Sequence, residues 1–550
     1  MSASSKEAVR LCQHLVRQAF GTVVSRIAST LMNRGRLTCP TLARLSALSR
    51  STTMAALLIL MQHHLVQSSG EPPDSDKEEA YEFNMDECLL RLRWGRILAM
   101  TLDKLGPSAT EVIRSLMLYG RLAKDEIIHA CGGGHGASNI MAIEEATLLL
   151  VRHHFIQPTH PEMGIIRADA EERRFLTHRR RLYSTKGLAY TTANDLANAR
   201  SQAGWEESER RAALVSSNNI IVLPEPHPKK KRKLVEPELS LRPNIALRIN
   251  YDRYGVLIRD ELIVRAVRDR LNVGAAEVMR AVLTSCLNDE SALADPRTLV
   301  HVSANDVIDK IPEQACPFIF AGMAGSSKSS LADVVKQYLR VLSGEDQVAS
   351  GGSFLSTEGT SLNPMYKVEL EGICSKLRAA LMNELVVQKL GDEGSRVLAV
   401  VVTANKVSET TVRDCAMIPL RSARFYLSEL QKLSLVETQE MPRVMGKGAM
   451  SKDAHLWSID LARAYTYILS SVYKTLGNIE LRKQTEVDRK KVVLAKEEKA
   501  GAAGRERLQL KDQQDLAELD DTLKKLTLAE GRSEEVVFIL RDLPGWPGRV

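Results

Sequence analysis

Apolar residues recur along this 550-residue chain in a pattern that predicts pairs of packed helices followed by a strand. The strings LMQHHLVQ (60–67) and LVRHHFIQ (150–157) are its clearest copies, and each follows a Gly-Arg-Leu triplet, at Gly35 and at Gly120. Apolar positions three and four residues apart predict helices that pack on each other, and the Leu-Val or Phe-Ile pair predicts a buried strand. Each copy is therefore predicted to be a helix-turn-helix with a β wing, which is a winged helix.

Corresponding residues of the copies are separated by nearly constant offsets along the sequence. The second copy is offset from the first by 85 residues and then by 90, and a glycine-rich insertion at 131–136 accounts for the difference. Another copy lies at a uniform offset of 370 residues. A more diverged copy lies between them, where Val302 and Val307 keep the spacing of Leu37 and Leu42. Internal repetition of this kind decides the architecture, which is predicted to be four tandem winged helices, mainly α with small β wings.

The C-terminal part is predicted to be an antiparallel coiled-coil hairpin. Two apolar stripes share the spacing three, four, three, which predicts two helices that face each other. The stripes are Leu469, Val472, Leu476 and Ile479, and Leu516, Leu519, Leu523 and Leu526. The glycines of AGAAG (500–504) break the charged helix between them, and the apolar segment 536–540 is predicted to dock at the base of the hairpin.

The predicted boundaries follow from these patterns and from the polar, proline-rich stretches between them. They give winged helix one at 6–84, winged helix two at 85–190, a basic, proline-rich linker at 191–243, winged helix three at 244–364, winged helix four at 365–460, the hairpin at 461–530 and a tail at 531–550. Within the first winged helix, helices are predicted at 9–20 and 23–34, and Tyr81 and Phe83 are predicted to lie in the returning strand of the wing.

The wing of the second winged helix is predicted to be long and basic. It carries Arg173, Arg174, Arg179, Arg180 and Arg181. Such a run is usually a solvated surface, but on a wing it is placed to meet phosphates. The linker holds a second basic run, Lys229, Lys230, Lys231, Arg232 and Lys233, between two prolines. An extended, exposed run suits the acidic groove of a nuclear import receptor and predicts a nuclear protein; an incidental basic linker and a DNA-backbone tether are the alternatives.

Composition supports a multidomain protein with small helical cores, because 44% of the residues are hydrophobic but only 5% are aromatic. The net charge of +7 suits a protein that touches nucleic acid among protein partners. Eight scattered cysteines without a CxxC pair give no sign of a disulfide framework or a four-cysteine zinc site. No stretch approaches the roughly 20 apolar residues of a membrane span, so the protein is expected to be soluble and intracellular.

No catalytic, cofactor-binding or metal-binding site is predicted. The string GMAGSSKS (322–329) resembles a phosphate-binding loop, but Ser327 stands where that loop requires a glycine before its lysine. The doublets His63-His64 and His153-His154 point their rings to different sides of a helix, which disfavours shared metal binding.

Three segments resemble one family, the third-largest subunit of DNA-directed RNA polymerase III. They are NYDRYGVLIRDELIVRAVRDRLN (250–272), AMIPLRSARFYLSELQKLSLVETQEMPR (416–443) and LSSVYKTLGNIELR (469–482). The resemblance covers most of the chain in order, except for the linker 191–243 and the C-terminal PGWPGRV.

The resemblance implies a non-catalytic subunit without a cofactor. Members of the family join a winged-helix partner and an acidic partner in a heterotrimer on the polymerase clamp, where they support promoter opening and contact initiation factors. It further implies that winged helices near the cleft touch single- and double-stranded promoter DNA. The candidate contacts are Lys328, Lys336 and Arg340 on the third recognition helix, Arg421, Arg424 and Lys432 on the fourth, and Arg443 and Lys447 on the fourth wing.

Two other functions remain open from the residues alone. A sequence-specific DNA-binding transcription factor would need recognition helices rich in Arg, Asn and Gln, whereas the first one, STTMAALLILMQH (51–63), is apolar and suits protein contact. A scaffold subunit of another large complex would use its winged helices for assembly only, and the basic run at 229–233 argues against a cytoplasmic one.

Overall fold

The computed structural model describes residues 5–70, 78–132, 137–187, 192–215, 221–222, 240–241, 245–287, 292–322, 330–344, 353–358, 364–441, 454–500 and 508–546. The chain divides into two compact units, residues 1–254 and 255–550. Each unit is described by itself.

The first winged helix begins with a long helix that is broken at one glycine. Helix α1 (Lys6–Arg34) changes direction at Gly21, so the two helices predicted at 9–20 and 23–34 are confirmed as its two halves. The elements that follow are β1 (Leu37–Thr38), α2 (Cys39–Ser46), α3 (Arg50–Gln62), β2 (Val66–Ser68) and β3 (Ala80–Phe83). The strands form an antiparallel sheet in the order β1-β3-β2, which confirms the predicted returning strand with Tyr81 and Phe83.

The second winged helix repeats this order with a large insertion. Its elements are α4 (Met85–Leu89), α5 (Trp94–Leu105), α6 (Pro107–Tyr119), β4 (Leu122–Ala123), α7 (Lys124–Gly132), α8 (Ala137–Arg152), β5 (Ile156–Thr159), α9 (Arg167–Lys186), α10 (Ala193–Val215), β6 (Ile221–Val222), β7 (Ser240–Leu241) and β8 (Ala246–Ile249). Strand β8 lies between β4 and β5 in the sheet, so the wing closes about 90 residues after β5 begins.

Two predictions for this region are wrong. The basic run does not lie on a wing loop but on helix α9, and residues 193–215 of the predicted linker form helix α10, which packs against α9. The core between them consists of Phe175 with the small residues Ala199 and Ala203. Alanine gives a weak apolar period, and for this reason the pattern of hydrophobic residues did not reveal α10.

The third winged helix lies in the second unit, apart from the start of its first helix. Its elements are α11 (Tyr251–Arg270), α12 (Val273–Cys286), α13 (Ala304–Asp309), α14 (Cys316–Ala321), α15 (Leu331–Ser343), β9 (Leu355–Glu358) and β10 (Met365–Val368). Val302 and Val307 are both buried, and Val302 forms a bridge to Tyr366. Because β10 pairs with β9, and β8 with the sheet of the second winged helix, the predicted boundaries at 364/365 and 243/244 are wrong. In both cases the returning strand is short and directly precedes the next helix.

The fourth winged helix resembles the first most closely. Its elements are α16 (Leu370–Ala404), β11 (Lys406–Ser408), α17 (Glu409–Ala416), α18 (Leu420–Lys432), β12 (Glu437–Met441) and β13 (Ala454–Ser458), with the strand order β11-β13-β12. Ser408 caps α17 by accepting a hydrogen bond from the amide of Thr411. Helix α16 is broken at Gly391 as α1 is at Gly21.

Backbone geometry follows the same register as the apolar pattern. Gly21, Gly106 and Gly391, which are related by the offsets 85 and 370, have φ values of +81°, +86° and +75°. The second residue after α3, α8 and α18 is equally unusual, since His64, His154 and Ser434 have φ values of +58°, +60° and +55° without being glycine. Side chains other than glycine rarely adopt this conformation. The repeated winged helices therefore share a backbone path as well as a core pattern.

The hairpin is formed by α19 (Leu461–Arg489), α20 (Lys491–Ala500) and α21 (Leu510–Val537). Helices α19 and α21 pack along their length, as predicted. Ion pairs cross between the two arms: Lys483 binds Glu530, Lys490 binds Asp515 (2.5 Å), and Lys496 of α20 binds Asp512 (2.8 Å). These pairs match the antiparallel register in which the two apolar stripes face each other.

The C-terminal segment is held by one buried arginine. Arg378 of α16 is 1% exposed, and its guanidinium donates hydrogen bonds to the carbonyl oxygens of Ile539 (3.1 Å), Leu543 (2.5 Å), Pro544 (3.0 Å) and Gly545 (3.1 Å). A helix end leaves such carbonyls without intrahelical partners. The predicted docking of 536–540 is confirmed and extends to residue 545.

In the first unit, the two winged helices meet at a partly buried polar contact. The side-chain Nε2 of Gln62 donates a hydrogen bond to the backbone carbonyl oxygen of Arg121 (2.7 Å). Arg121 Nε in turn donates a hydrogen bond to the side-chain Oε1 of Gln62 (2.9 Å). Gly120 lies between them with a φ of +84°, and a Cβ there would be 2.4 Å from the Gln62 carbonyl oxygen. Only glycine permits this approach.

Two histidines at this contact are buried in their neutral form. Burial lowers the pKa of His63 to about 4, and the nearby guanidinium of Arg91 lowers it further. Burial likewise lowers the pKa of His64 to about 3, assisted by the positive charges of Arg248 and Arg121. The contact therefore disfavours protonation of either ring.

We predict that the Arg378→Met substitution releases the C-terminal segment. Each buried carbonyl left without a partner costs about 1–3 kcal/mol, so the second unit should lose roughly 3 kcal/mol or more of unfolding free energy. Hydrogen–deuterium exchange of residues 538–546 and urea denaturation measure the effect. Arg265→Met is the matched control, because Arg265 is half-exposed and pairs with Glu535, a surface interaction worth about 0–1 kcal/mol. Equal effects of the two substitutions would contradict the prediction.

We also predict an acid-sensitive first unit. Because the folded pKa values of His63 and His64 lie below 6.5, their contribution to stability is fully present above pH 6.5 and is lost as pH falls toward 4. The slope should reach up to about 1.4 kcal/mol per pH unit for each ring. In thermal denaturation between pH 7 and pH 4.5, the melting temperature of His64→Asn should depend less on pH than that of the wild type, because one titrating ring is removed. Asparagine is chosen because it tolerates the positive φ of residue 64.

Candidate nucleic-acid interface

The fourth recognition helix, α18, separates a buried face from a basic exposed face. Ala423, Leu427 and Leu430 are fully buried against the rest of the winged helix. The opposite face is exposed at Arg421, Arg424, Phe425, Ser428 and Lys432, a spacing that places all five along one side of a helix. The sequence-predicted residues Arg421, Arg424 and Lys432 are thus brought together on one surface.

These three basic residues differ in their ion pairs. Arg424 Nε binds Glu409 Oε2 of α17 at 2.7 Å, and Lys432 binds Glu429 one turn earlier at 2.5 Å. Arg421 forms no ion pair with a residue that the structure describes. Exposed ion pairs are weak and can exchange partners, so all three remain available to an anion, and Arg421 most readily.

Phe425 was missed by the sequence reasoning. Its side chain is 56% exposed in the middle of the basic face, and its ring meets Tyr426 edge-on at 5.4 Å. The signal that could have revealed it is its position, since it lies between Ala423 and Leu427 but off the apolar stripe that they define. An aromatic ring beside arginines is a surface on which a base or an apolar side chain can stack.

The third recognition helix, α15, also has a basic exposed face. Val335, Tyr338 and Leu339 are buried, whereas Lys336 and Arg340, one turn apart, are exposed. Gln337 is exposed beside them. None of the three forms an ion pair or a side-chain hydrogen bond with a described residue. Lys328 lies outside the described residues, as do Arg443 and Lys447 of the fourth wing.

The five arginines of α9 are not equivalent. Arg173 donates hydrogen bonds to the carbonyl oxygens of Ser69 and Gly70 in the first winged helix, and Arg174 binds Glu207 at 2.7 Å. The guanidinium of Arg179 lies 5.9 Å from the centre of the Phe175 ring. Only Arg180 and Arg181 of this run are exposed. The other three are used within the fold, where they join α9 to the first winged helix, join α9 to α10, and stack on Phe175.

The recognition helices of the first unit expose apolar side chains instead. On α3, Met54, Leu58 and Ile59 are 42%, 64% and 42% exposed. On α8, Met141 is 73% exposed. Ile140 beside it is also exposed, at 37%. Contiguous exposed apolar side chains mark sites of protein interaction.

The remaining predictions concern the basic run of the linker, metal binding and membrane spans. The basic run Lys229–Lys233 lies outside the described residues. Within the described ranges, no three His, Cys, Asp or Glu side chains are arranged to hold a metal ion, and no helix is both long and apolar enough to cross a bilayer.

Comparison with known proteins identifies similar sequences along the chain. Residues 10–69 match the RNA polymerase III subunit RPC82 helix-turn-helix domain, residues 146–316 match the RNA polymerase III subunit RPC82 model, and residues 382–459 match the POLR3C C-terminal winged-helix domain. The chain is similar to DNA-directed RNA polymerase III subunit RPC3 of Danio rerio and of Mus musculus, each at 23% identity, and of Homo sapiens at 22%. In each case 97% of both chains is covered.

Proposed function

The chain belongs to the RPC3 (RPC82) family of RNA polymerase III subunits, and we propose that it acts as a non-catalytic subunit in transcription initiation. In this role it joins a winged-helix partner and an acidic partner in a heterotrimer on the polymerase clamp, supports promoter opening and contacts initiation factors. The products are small non-coding RNAs. The observation that carries the proposal is the similarity to RPC3 subunits over 97% of the chain.

The absence of a role in catalysis is part of the proposal. Nucleotide addition by a polymerase uses carboxylate-held magnesium ions, and this chemistry is assigned to the large subunits. The function of this chain is then to bind: protein through the apolar faces of α3 and α8, and promoter DNA through the basic faces of α15 and α18.

DNA contact is assigned to the exposed basic residues. Lys336, Arg340, Arg421, Arg424 and Lys432 are exposed on recognition helices, and such side chains bind phosphates. Arg180 and Arg181 of α9 remain secondary candidates. A location in the nucleus follows from membership of the polymerase, and the run at 229–233 supplies a segment that an import receptor can bind.

We expect the tagged full-length chain to co-purify from nuclear extract with the other polymerase III subunits. Mass spectrometry should detect the two large catalytic subunits and the two heterotrimer partners in equal amounts. An untagged extract and a tagged unrelated winged-helix protein are the controls. Recovery of other proteins without the large subunits would refute the proposed role.

We expect Lys336→Ala/Arg340→Ala/Arg421→Ala to impair promoter opening selectively. Polymerase that contains this variant should initiate several-fold less often on a closed duplex promoter, because phosphate contacts that help hold the opened DNA are lost. Initiation on a pre-melted promoter and elongation on a tailed template should remain near wild type. Arg280→Ala is the control, since Arg280 is exposed on α12 and pairs with Glu277. If the variant is equally defective on all three templates, these residues do not act selectively in promoter opening and the prediction is wrong.

A further inference from the structure

The net positive charge of the chain is concentrated in one segment of the first winged helix, residues 8–70. Residues 8–70 contain no Asp and no Glu, and their seven basic side chains are all arginines. They are Arg10, Arg17, Arg26, Arg34, Arg36, Arg44 and Arg50. Since the whole chain has 75 basic and 68 acidic residues, the part outside this segment is neutral, with 68 of each. The segment 8–70 therefore carries the entire excess of +7.

Two of these arginines are used within the fold. Arg10 binds Glu7 at 3.3 Å, and Arg36 binds both Glu82 (2.6 Å) and Asp169 (2.8 Å). The other five are exposed and form no ion pair with any described residue. Five guanidinium groups without an acidic partner produce a local positive potential that attracts anions.

Two of the five line a groove of about 310 Å³ along the second half of α1. Its walls are Arg26, Ser29, Thr30, Asn33 and Arg34 of α1, with Leu45 of α2. The other four residues of α1 lie three, four, seven and eight positions after Arg26, and this spacing places all five side chains on one face of the helix. Arg26 and Arg34 lie about 12 Å apart along the axis, at 1.5 Å per residue.

The lining fits the backbone of a nucleic acid. Arginine, serine and asparagine are among the side chains that contact phosphate oxygens in protein–DNA complexes, and arginine binds phosphate through two parallel hydrogen bonds. Thr30 already donates its hydroxyl hydrogen to the carbonyl oxygen of Arg26 (2.8 Å), so the donors are Arg26, Arg34, Ser29 and Asn33. We propose that this groove binds the phosphates of a nucleic-acid strand without reading its sequence.

The same groove suits an acidic protein less well. A protein partner would bury apolar side chains beside its carboxylates, but only Leu45 among the six lining residues is apolar. The exposed apolar residues Met54, Leu58 and Ile59 of α3 do not line the groove. The groove also differs from the DNA contacts proposed above, which lie on α15, α18 and α9.

The test measures nucleic-acid binding by the full-length chain. Fluorescence anisotropy follows a labelled 20-base-pair duplex of mixed sequence, and separately a single strand of the same length, between 50 and 200 mM salt. We compare Arg26→Ala/Arg34→Ala with Arg17→Ala/Arg50→Ala, which removes the same charge from exposed sites of the same winged helix outside the groove. Because all four arginines are exposed, both variants should melt at the wild-type temperature.

The groove variant should lose about 1.8 from the slope of log affinity against log salt on the duplex, since each phosphate contact contributes about 0.9. Its affinity at 100 mM salt should fall roughly tenfold or more, whereas the control variant should change by less than half as much. A labelled polyglutamate peptide identifies the alternative ligand. Three outcomes would each overturn the proposal. They are equal losses of duplex affinity in the two variants, no duplex binding by the wild type, and a groove variant that loses peptide binding but keeps duplex binding. None of these outcomes affects the co-purification test of polymerase membership.

Discussion

In three of the four winged helices, a single backbone break at a glycine determines how the domain closes on itself. Helices α1 and α16 contain 29 and 35 residues, and at 1.5 Å per residue the longer would extend about 52 Å if it were straight, well beyond a small domain. Gly21 and Gly391 adopt positive φ values, which turn the second half of each helix so that it packs against the helices that follow. Gly106 performs the same turn between α5 and α6. Only glycine adopts this conformation without a steric cost, so the break constrains the core and the sheet together.

Once this path is fixed, the buried and exposed positions of each recognition helix are under different constraints. The buried stripe must fit the same neighbours in every copy, as Leu57 and Leu60 do in α3 and Leu427 and Leu430 do in α18. The exposed stripe has no such requirement. It carries Met54 and Leu58 on α3 but Arg421 and Arg424 on α18. One scaffold can therefore present an apolar surface in one copy and a basic surface in another, and the fold alone does not decide what each copy binds.

The sequence predicted those features that depend on local periodicity. The halves of α1 and the two stripes of the hairpin were predicted because each is a regular pattern within about 20 residues. Strands β8 and β10 were assigned to the wrong winged helix, because pairing with β5 and β9 depends on tertiary contacts and not on neighbours in the chain. Helix α10 was missed because its packing face is made of alanines.

The basic residues show most clearly where sequence reasoning ends. A run of arginines on α9 suggested a phosphate-binding surface, yet Arg173 and Arg174 are occupied by backbone carbonyls and by Glu207. Arg378 gave no signal at all, although it holds four carbonyls of the C-terminal segment. In residues 8–70 the arginines are scattered singly, and the fold pairs Arg10 and Arg36 with acidic residues outside that segment while it leaves the other five without an ion pair to a described residue. Whether an arginine is available to a ligand thus depends on which acceptors the fold brings to it, and the spacing of arginines along the chain does not contain that information.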